Sequence, residues 1–240
     1  NDKEFELEYG VAVLATGAKA FVPDEYKYGK DSRIITSLDL DKMFKTNDVD
    51  LDRVNSAVFI QCVGSRQPDR PYCSRVCCTH SIDNAIELKE RKPDMDIFIL
   101  YRDIRTYGER ELLYKKAREL GVIFIRYDVD KKPQVRIDNS QLFIRVNDHV
   151  LNKPIEIEAD LLTLAVALVP RKDETLANFF KVPLNDEGFF VEKHAKLGPA
   201  EFATDGVFVC GSGHYPKPVN EAITQGRASA SRALTLLAKK

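Results

Sequence analysis

The sequence predicts an α/β fold in which a parallel sheet is joined to a small antiparallel meander. Three observations predict it. Short apolar runs alternate with amphipathic ones from Tyr9 to Tyr127, the period drops to two between Gln134 and Glu158, and strand-like runs repeatedly end on glycine or proline.

Tyr9–Thr16 (YGVAVLAT) reads as a buried strand that ends at Gly17. Ser37 is placed to cap a short helix, Leu38–Lys45, whose Leu40, Met43 and Phe44 share one face. Ala57–Gln61 is the next strand. A cysteine-bearing segment follows, then a helix over Thr79–Lys92 with Ile82, Ala85 and Ile86 in a stripe and Pro93 as its stop. Asp96–Tyr101, Glu109–Leu120 and Val122–Tyr127 continue the strand–helix–strand alternation, and Gly121 ends the helix. Apolar strands in such an alternation predict parallel pairing between two helical layers. The period-two runs QVRID, QLFIRVND and PIEIEAD predict the meander, with Asn139-Ser140 as a tight turn. Asp160–Val169 reads as one buried strand, Gly206–Cys210 as another, and Val219–Ala238 as a long helix with Ile223, Gly226, Ala230, Ala233 and Leu237 along one side.

Bulk properties exclude several classes. The 36 basic and 37 acidic residues nearly cancel, so no general field draws in nucleic acid. No apolar run reaches membrane-spanning length, and the charged opening NDKEFELEYG cannot serve as a secretory h-region. A cytoplasmic chain is expected. The opening, without Met and leading at once into a strand, reads as a piece of something longer.

Four of the five cysteines fall within seventeen positions, as Cys62-x10-Cys73-x3-Cys77-Cys78. Thiolates bind soft metals, and four on a loop and one helical turn can surround a cluster, [4Fe–4S] being the type that takes four cysteines. Cys73 and Cys77, four apart, are expected on one face of a turn. Arg66, Arg70 and Arg75 stand ready to offset the negative charge. Structural zinc, a redox dithiol at Cys77-Cys78 and plain buried cysteines are the other readings, although adjacent cysteines suit zinc poorly. Cys210, inside an apolar run, reads as a core residue.

The unit Ala57–Tyr101 has the layout of a dinucleotide-binding domain, but its first turn reads Cys62-Val63-Gly64-Ser65-Arg66 where G-x-G-x-x-G is required. Its second strand runs into Tyr101-Arg102-Asp103, which leaves one candidate acid for a ribose. No NAD(P) binding is expected. A second candidate turn is Cys210-Gly211-Ser212-Gly213, where a strand feeds glycines and then a helix, a layout suited to phosphate or to an anionic flavin. The blander alternative is a plain strand–turn–helix. His214 and Lys217 lie in this turn, where a cation could stabilise reduced flavin or simply be solvated.

The runs FIQCVGSR, RPYCSRVCC, ILYRDIRTYG, GVIFIRYD and TDGVFVCGSGHYPK together resemble the A subunit of heterodisulfide reductase, the flavoprotein of methanogens with relatives in other anaerobes. The resemblance implies a Rossmann-like core of the thioredoxin reductase type, with a partial FAD-binding domain at 1–50 and 131–240 and a pseudo-NAD-binding domain at 51–130. It implies a [4Fe–4S] cluster on Cys62, Cys73, Cys77 and Cys78, and FAD contacts from Thr16, Gly17, Gly211, Ser212, Gly213, Lys217, Pro218, Val219 and Ala222. The implied function is electron transfer between FAD and clusters in an oxidoreductase subunit of anaerobic metabolism such as methanogenesis, with flavin-based bifurcation among its modes. Implied partners are heterodisulfide reductase subunits of the B and C kind, hydrogenase or formate dehydrogenase modules, ferredoxin, and a second copy in the full-length protein. Two departures stand out. Gly211-Ser212 replaces the Gly-Asp usual in thioredoxin reductases, and the first G-x-G-x-x-G unit is absent, so this chain is expected to hold FAD weakly or lose it, and to be inactive alone. The alternative from another class is a non-catalytic assembly module that binds zinc or a cluster structurally.

Overall fold

A computed structural model describes residues 6–238 of the chain; Asn1–Phe5, half of the charged opening, and Lys239–Lys240 lie outside the described residues. The elements, in chain order, begin with β1 (Ala12–Leu14), β2 (Ala18–Ala20), β3 (Ile34–Thr36), α1 (Ser37–Thr46), β4 (Ser56–Val63) and α2 (Cys77–Arg91). Then come β5 (Asp96–Tyr101), α3 (Glu111–Glu119), β6 (Ile123–Arg126), β7 (Gln134–Asp138), β8 (Gln141–Asp148) and β9 (Lys153–Ala159). β10 (Leu161–Val166), β11 (Leu168–Pro170), α4 (Glu174–Phe180), β12 (Val207–Val209) and α5 (Val219–Leu237) complete the chain.

The chain divides into two compact units, Ala20–Ala167 and the pair of segments Asn1–Lys19 and Leu168–Lys240. This differs from the boundaries at 50/51 and 130/131 expected from sequence. The segments 20–50 and 131–167 pack with the cysteine segment because β3 and β10 are strands of its sheet and the meander covers that sheet.

In the larger unit the sheet order is β3-β10-β4-β5-β6, all parallel. Alternation along each strand sorts side chains to two faces. Ala57 and Phe59 of β4 and Ile97 and Ile99 of β5 pack with Leu40 of α1, Ile82 and Ala85 of α2 and Ala117 of α3. Val58, Ile60 and Leu100 pack on the other side with Leu142, Ile144 and Val146 of β8. The second helical layer expected from sequence is therefore absent among the described residues. A three-stranded antiparallel sheet takes its place, because β8 turns one unbroken apolar face inward. Its tight turn is where the sequence puts it, with Asn139 at φ 45° and Ser140 at φ 66°.

Local chemistry shifts some element ends. Thr36, not Ser37, caps α1: its hydroxyl accepts from the Asp39 N–H while Asp39 reaches back to the Thr36 N–H, a reciprocal capping box. The run Asp160–Val169 is not one strand. It splits at Ala167, whose N–H donates to the Val63 carbonyl after a register shift between Leu164 and Val166.

In the smaller unit β1 and β12 pair in parallel over a core of Leu14, Ala177, Val182, Phe190, Phe202, Val207 and Val209. A short two-stranded ribbon joins β2 and β11. Helix α4 lies in the stretch that sequence patterning leaves unassigned. The stripe expected on α5 is corrected: Ile223 and Leu237 are exposed, and the buried line runs through Ser229 and Ala233. Ser229 Oγ donates to the Val209 carbonyl, so α5 meets β12 through a small hydroxyl side chain that the expected stripe did not include. Among the described residues no helix is long and apolar enough to cross a membrane.

Candidate functional site

β4 runs two residues further than its apolar pattern suggests, so Cys62 stands near the end of the strand, at φ 62°. A left-handed backbone is costly for a non-glycine residue, and Arg66 (φ 57°) and Arg75 (φ 63°) repeat it nearby. α2 starts two residues earlier than expected, which puts Cys77 and Cys78 on its first turn and leaves Cys73 in the preceding loop. Cys73 and Cys77 therefore do not share a helical face, contrary to the spacing argument.

All four cysteines are free thiols in this structure. The Cys77 thiol donates to the Val166 carbonyl at 3.6 Å, and the Cys78 thiol to the Asp103 carbonyl at 3.6 Å. The Arg75 N–H donates to Cys73 Sγ at 3.3 Å, and the Arg66 guanidinium lies 3.9 Å from Cys62 Sγ. These contacts bring the cysteine segment to the carboxyl ends of β10, β4 and β5, where open α/β sheets hold ligands. Burial pushes Cys77 and Cys78 up in pKa, Cys78 to about 11, and at Cys77 the neighbouring Cys78, Cys62 and Cys73 add to it. Cys62 also rises through burial, partly opposed by Arg66 and Arg102. Tyrosines unforeseen from sequence stand beside it: half-buried Tyr26, and buried Tyr127, whose hydroxyl donates to the Gln61 carbonyl at 2.7 Å.

Of the three arginines expected to offset charge, Arg66 faces a sulfur. Arg70 donates to the Gly64 carbonyl and stacks on Phe21 at 4.3 Å, and Arg75 donates from its guanidinium to the Tyr107 hydroxyl. The candidate ribose acid Asp103 is bound at 2.5 Å by Arg66, with Arg105 and Arg126 within 3.9 Å. Among the described residues no three His, Cys, Asp or Glu side chains form a ready ligand set for a single metal ion. The donor chemistry, four soft sulfurs in mutual electrostatic range beside a guanidinium, fits a larger thiolate-ligated group.

In the smaller unit Thr16-Gly17 and Gly211-Ser212-Gly213 come together. A Cβ added at Gly213 would lie 3.1 Å from Thr16 Oγ1 and 3.3 Å from the Gly17 nitrogen, and one at Gly17 would lie 3.8 Å from Ser212 Oγ. Thr16 Oγ1 is buried with no partner among the described residues, while Gly17 (φ 77°) and Gly211 (φ 76°) need the left-handed region. Close backbone approach and an orphaned hydroxyl fit a bound polar group such as a flavin nucleotide. Pro218 caps the start of α5, and Val219 and Ala222 occupy its first turn.

Lys217 donates to the Gly211 carbonyl at 2.9 Å, to Gln225 Oε1 at 2.7 Å and to His214 Nδ1 at 3.0 Å. His214 Nδ1 also accepts from Gln225, so its Nε2–H is the donor to Glu192 at 2.8 Å. Gln225 Oε1 accepts from the Gly211 N–H as well. Burial holds His214 below its usual value. At Glu192 burial acts upward, but the bond from His214 prevails and the carboxyl is held low. His214 is therefore the neutral member of this network, and Lys217 clamps the turn. Glu192 and Gln225 carry no motif and were invisible in the sequence. Cys210 is half-buried just beyond β12. His80 pairs with Asp41 and His149 with Asp128.

No family model matches the chain. Curated relatives do. It is 36% identical over 99% of its length to the A subunit of the H(2):CoB-CoM heterodisulfide,ferredoxin reductase of Methanothermobacter marburgensis. It is 33% identical over 97% to the second iron-sulfur A subunit of the CoB--CoM heterodisulfide reductase of Methanopyrus kandleri. The chain is a homologue of the heterodisulfide reductase A subunits. It spans about 38% of the length of these relatives. Among solved structures, thioredoxin reductase of Lactococcus lactis aligns with a TM-score of 0.60 at 14% identity, covering 96% of this chain and 67% of that one. The T. acidophilum enzyme gives 0.59 at 15%, covering 94% and 65%. The fold is of the thioredoxin reductase type.

Proposed function

We propose that this chain is the portion of an electron-transfer oxidoreductase that holds a [4Fe–4S] cluster on Cys62, Cys73, Cys77 and Cys78 and contributes to an FAD site. The observation that carries the reading is the gathering of four thiols at the carboxyl ends of parallel strands, on the turn that a dinucleotide loop would otherwise occupy. Homology to proteins named as heterodisulfide reductase iron-sulfur subunits supports it. Bound, the cluster would supply one-electron chemistry. The chain's own contribution is position and charge: β4 and α2 present the sulfurs and Arg66 offsets thiolate charge at Cys62, while the Val166 and Asp103 carbonyls receive Cys77 and Cys78 only as thiols, before loading.

For the flavin, Thr16, Gly17, Gly211, Ser212 and Gly213, which the fold brings to one place, are the groups that would line it, with Pro218, Val219 and Ala222 at the helix start. Lys217 acts one step back, fixing the turn through the Gly211 carbonyl. The whole protein works with further redox subunits, as the relatives' names imply for them, and electron bifurcation and a ferredoxin partner belong to that whole. No NAD(P) site is part of the proposal. Anaerobic reconstitution with ferrous iron, sulfide and FAD, followed by absorbance and iron, sulfide, zinc and flavin analysis, tests it. A brown protein with about four irons per chain is expected. A colourless protein that takes zinc and no iron overturns it in favour of an assembly module.

A further inference from the structure

At the first turns of α2 and on the strands beneath them are buried polar side chains that no group among the described residues satisfies. Ser81 is fully buried, and its Oγ has no hydrogen-bond partner; the same holds for both amide atoms of Gln61 and for Thr163 Oγ1. Orphaned buried polar groups cost stability, so each calls for an explanation. Two of them adjoin the cysteines. Ser81 is four residues after Cys77 and three after Cys78 on the same helix, which makes it a surface neighbour of both. Gln61 precedes Cys62 on β4, and by alternation with Ala57 and Phe59 its side chain is on the face that packs against Ile82 and Ala85 of α2. β10, to whose Val166 carbonyl Cys77 donates, is the adjacent strand.

As thiols, Cys77 and Cys78 are donors, and carbonyls receive them. Once ligating, a sulfur has no proton to give and becomes an acceptor only. Idle donors and sulfurs that need donors then stand on the same turn. We infer that the Ser81 hydroxyl and the Gln61 amide are hydrogen-bond donors to the cysteine sulfurs in the loaded protein and raise the cluster's reduction potential. Donors to sulfur favour the more negative, reduced state. The inference rests on the cluster reading proposed above. Thr163 supplies a control from the same stratum: it pairs with Phe59, one pleat further from the carboxyl ends than Gln61, and is out of this role.

The test is an anaerobic redox titration, followed optically, of the chain reconstituted with ferrous iron and sulfide, with wild type beside Ser81→Ala, Gln61→Leu and Thr163→Val. Melting of the unloaded proteins verifies folding; Gln61→Met replaces Gln61→Leu should the latter not fold. Expected are equal iron contents, midpoint potentials shifted to lower values in the Ser81 and Gln61 variants, and no shift in Thr163→Val. Unloaded Ser81→Ala and Thr163→Val should melt no lower than wild type, because each loses an orphaned hydroxyl. A loaded cluster whose potential is unchanged in both variants, or shifted equally in all three, overturns the inference. A shift in one variant alone overturns the role of the other residue. Wild type that takes up no iron overturns the cluster reading itself, and this inference with it.

Discussion

The turn after β4 and the turn after β12 answer the same geometric demand, a strand leading into a ligand site, by opposite means. The glycine turn is tied down before any ligand arrives. Lys217 and Gln225 together hold both backbone polar groups of Gly211, His214 accepts from Lys217, and Glu192 holds His214. The cysteine turn is left open: non-glycine residues sit at positive φ, thiols point at carbonyls, and buried donors stand idle. One site is preorganised by its backbone, the other awaits a group that its side chains must wrap. The difference teaches that the first should tolerate change in a lining side chain such as Ser212 better than backbone crowding, and the second the reverse.

The largest expected effect is at the cysteine turn. Cys77→Ser should abolish brown colour and iron retention after reconstitution, as read by absorbance and metal analysis, while the unloaded fold melts normally. Next is a glycine that complicates the contrast. Gly64, at φ 76° two residues after Cys62, leaves no room: an added Cβ would lie 2.3 Å from the Phe21 ring. Gly64→Ala should lower stability by about 3 kcal/mol in a urea melt, combining backbone strain with overpacking. Smaller is Gly213→Ala, which crowds Thr16 Oγ1 and the Gly17 nitrogen; FAD affinity by fluorescence titration should fall about tenfold, or ~1.4 kcal/mol. If the fall is matched by Ser212→Ala, the claim that backbone approach dominates there fails.

The smallest effect is a pH dependence. His214 in the folded chain titrates below its ordinary value of 6.5, so between those two values the unfolded chain binds the extra proton and stability drops as pH falls. Glu192, held below 4.5, adds a further loss at lower pH. Thermal melts should therefore show a decline as pH falls through 6.5 that His214→Gln flattens, leaving only the acid limb.

Much of this was legible in residue patterns because it is local. The bounds of β5, the meander strands and their Asn139-Ser140 turn follow from periodicity and turn chemistry, and Ile82, Ala85 and Ile86 are buried as their spacing requires. What was not legible depends on long-range pairing. Nothing in Leu161–Val166 says that it inserts between β3 and β4, and that insertion moves the unit boundaries. Glu192 and Gln225 meet His214 from 22 residues before and 11 after, with no motif to mark them. The helix start at Cys77 was missed because cysteines are poor helix signals, and so the shared face with Cys73 was wrong.

The late insertion of β10 also bears on synthesis. The carbonyl that receives the Cys77 thiol belongs to Val166, 89 residues downstream. At roughly 5–20 residues per second, a ribosome delivers that wall some 4–18 s after the thiol itself has been made. During that interval the four sulfurs belong to an unfinished sheet that lacks the strand receiving the Cys77 thiol. The Cys77 thiol therefore gains its carbonyl partner only after the whole meander has been made.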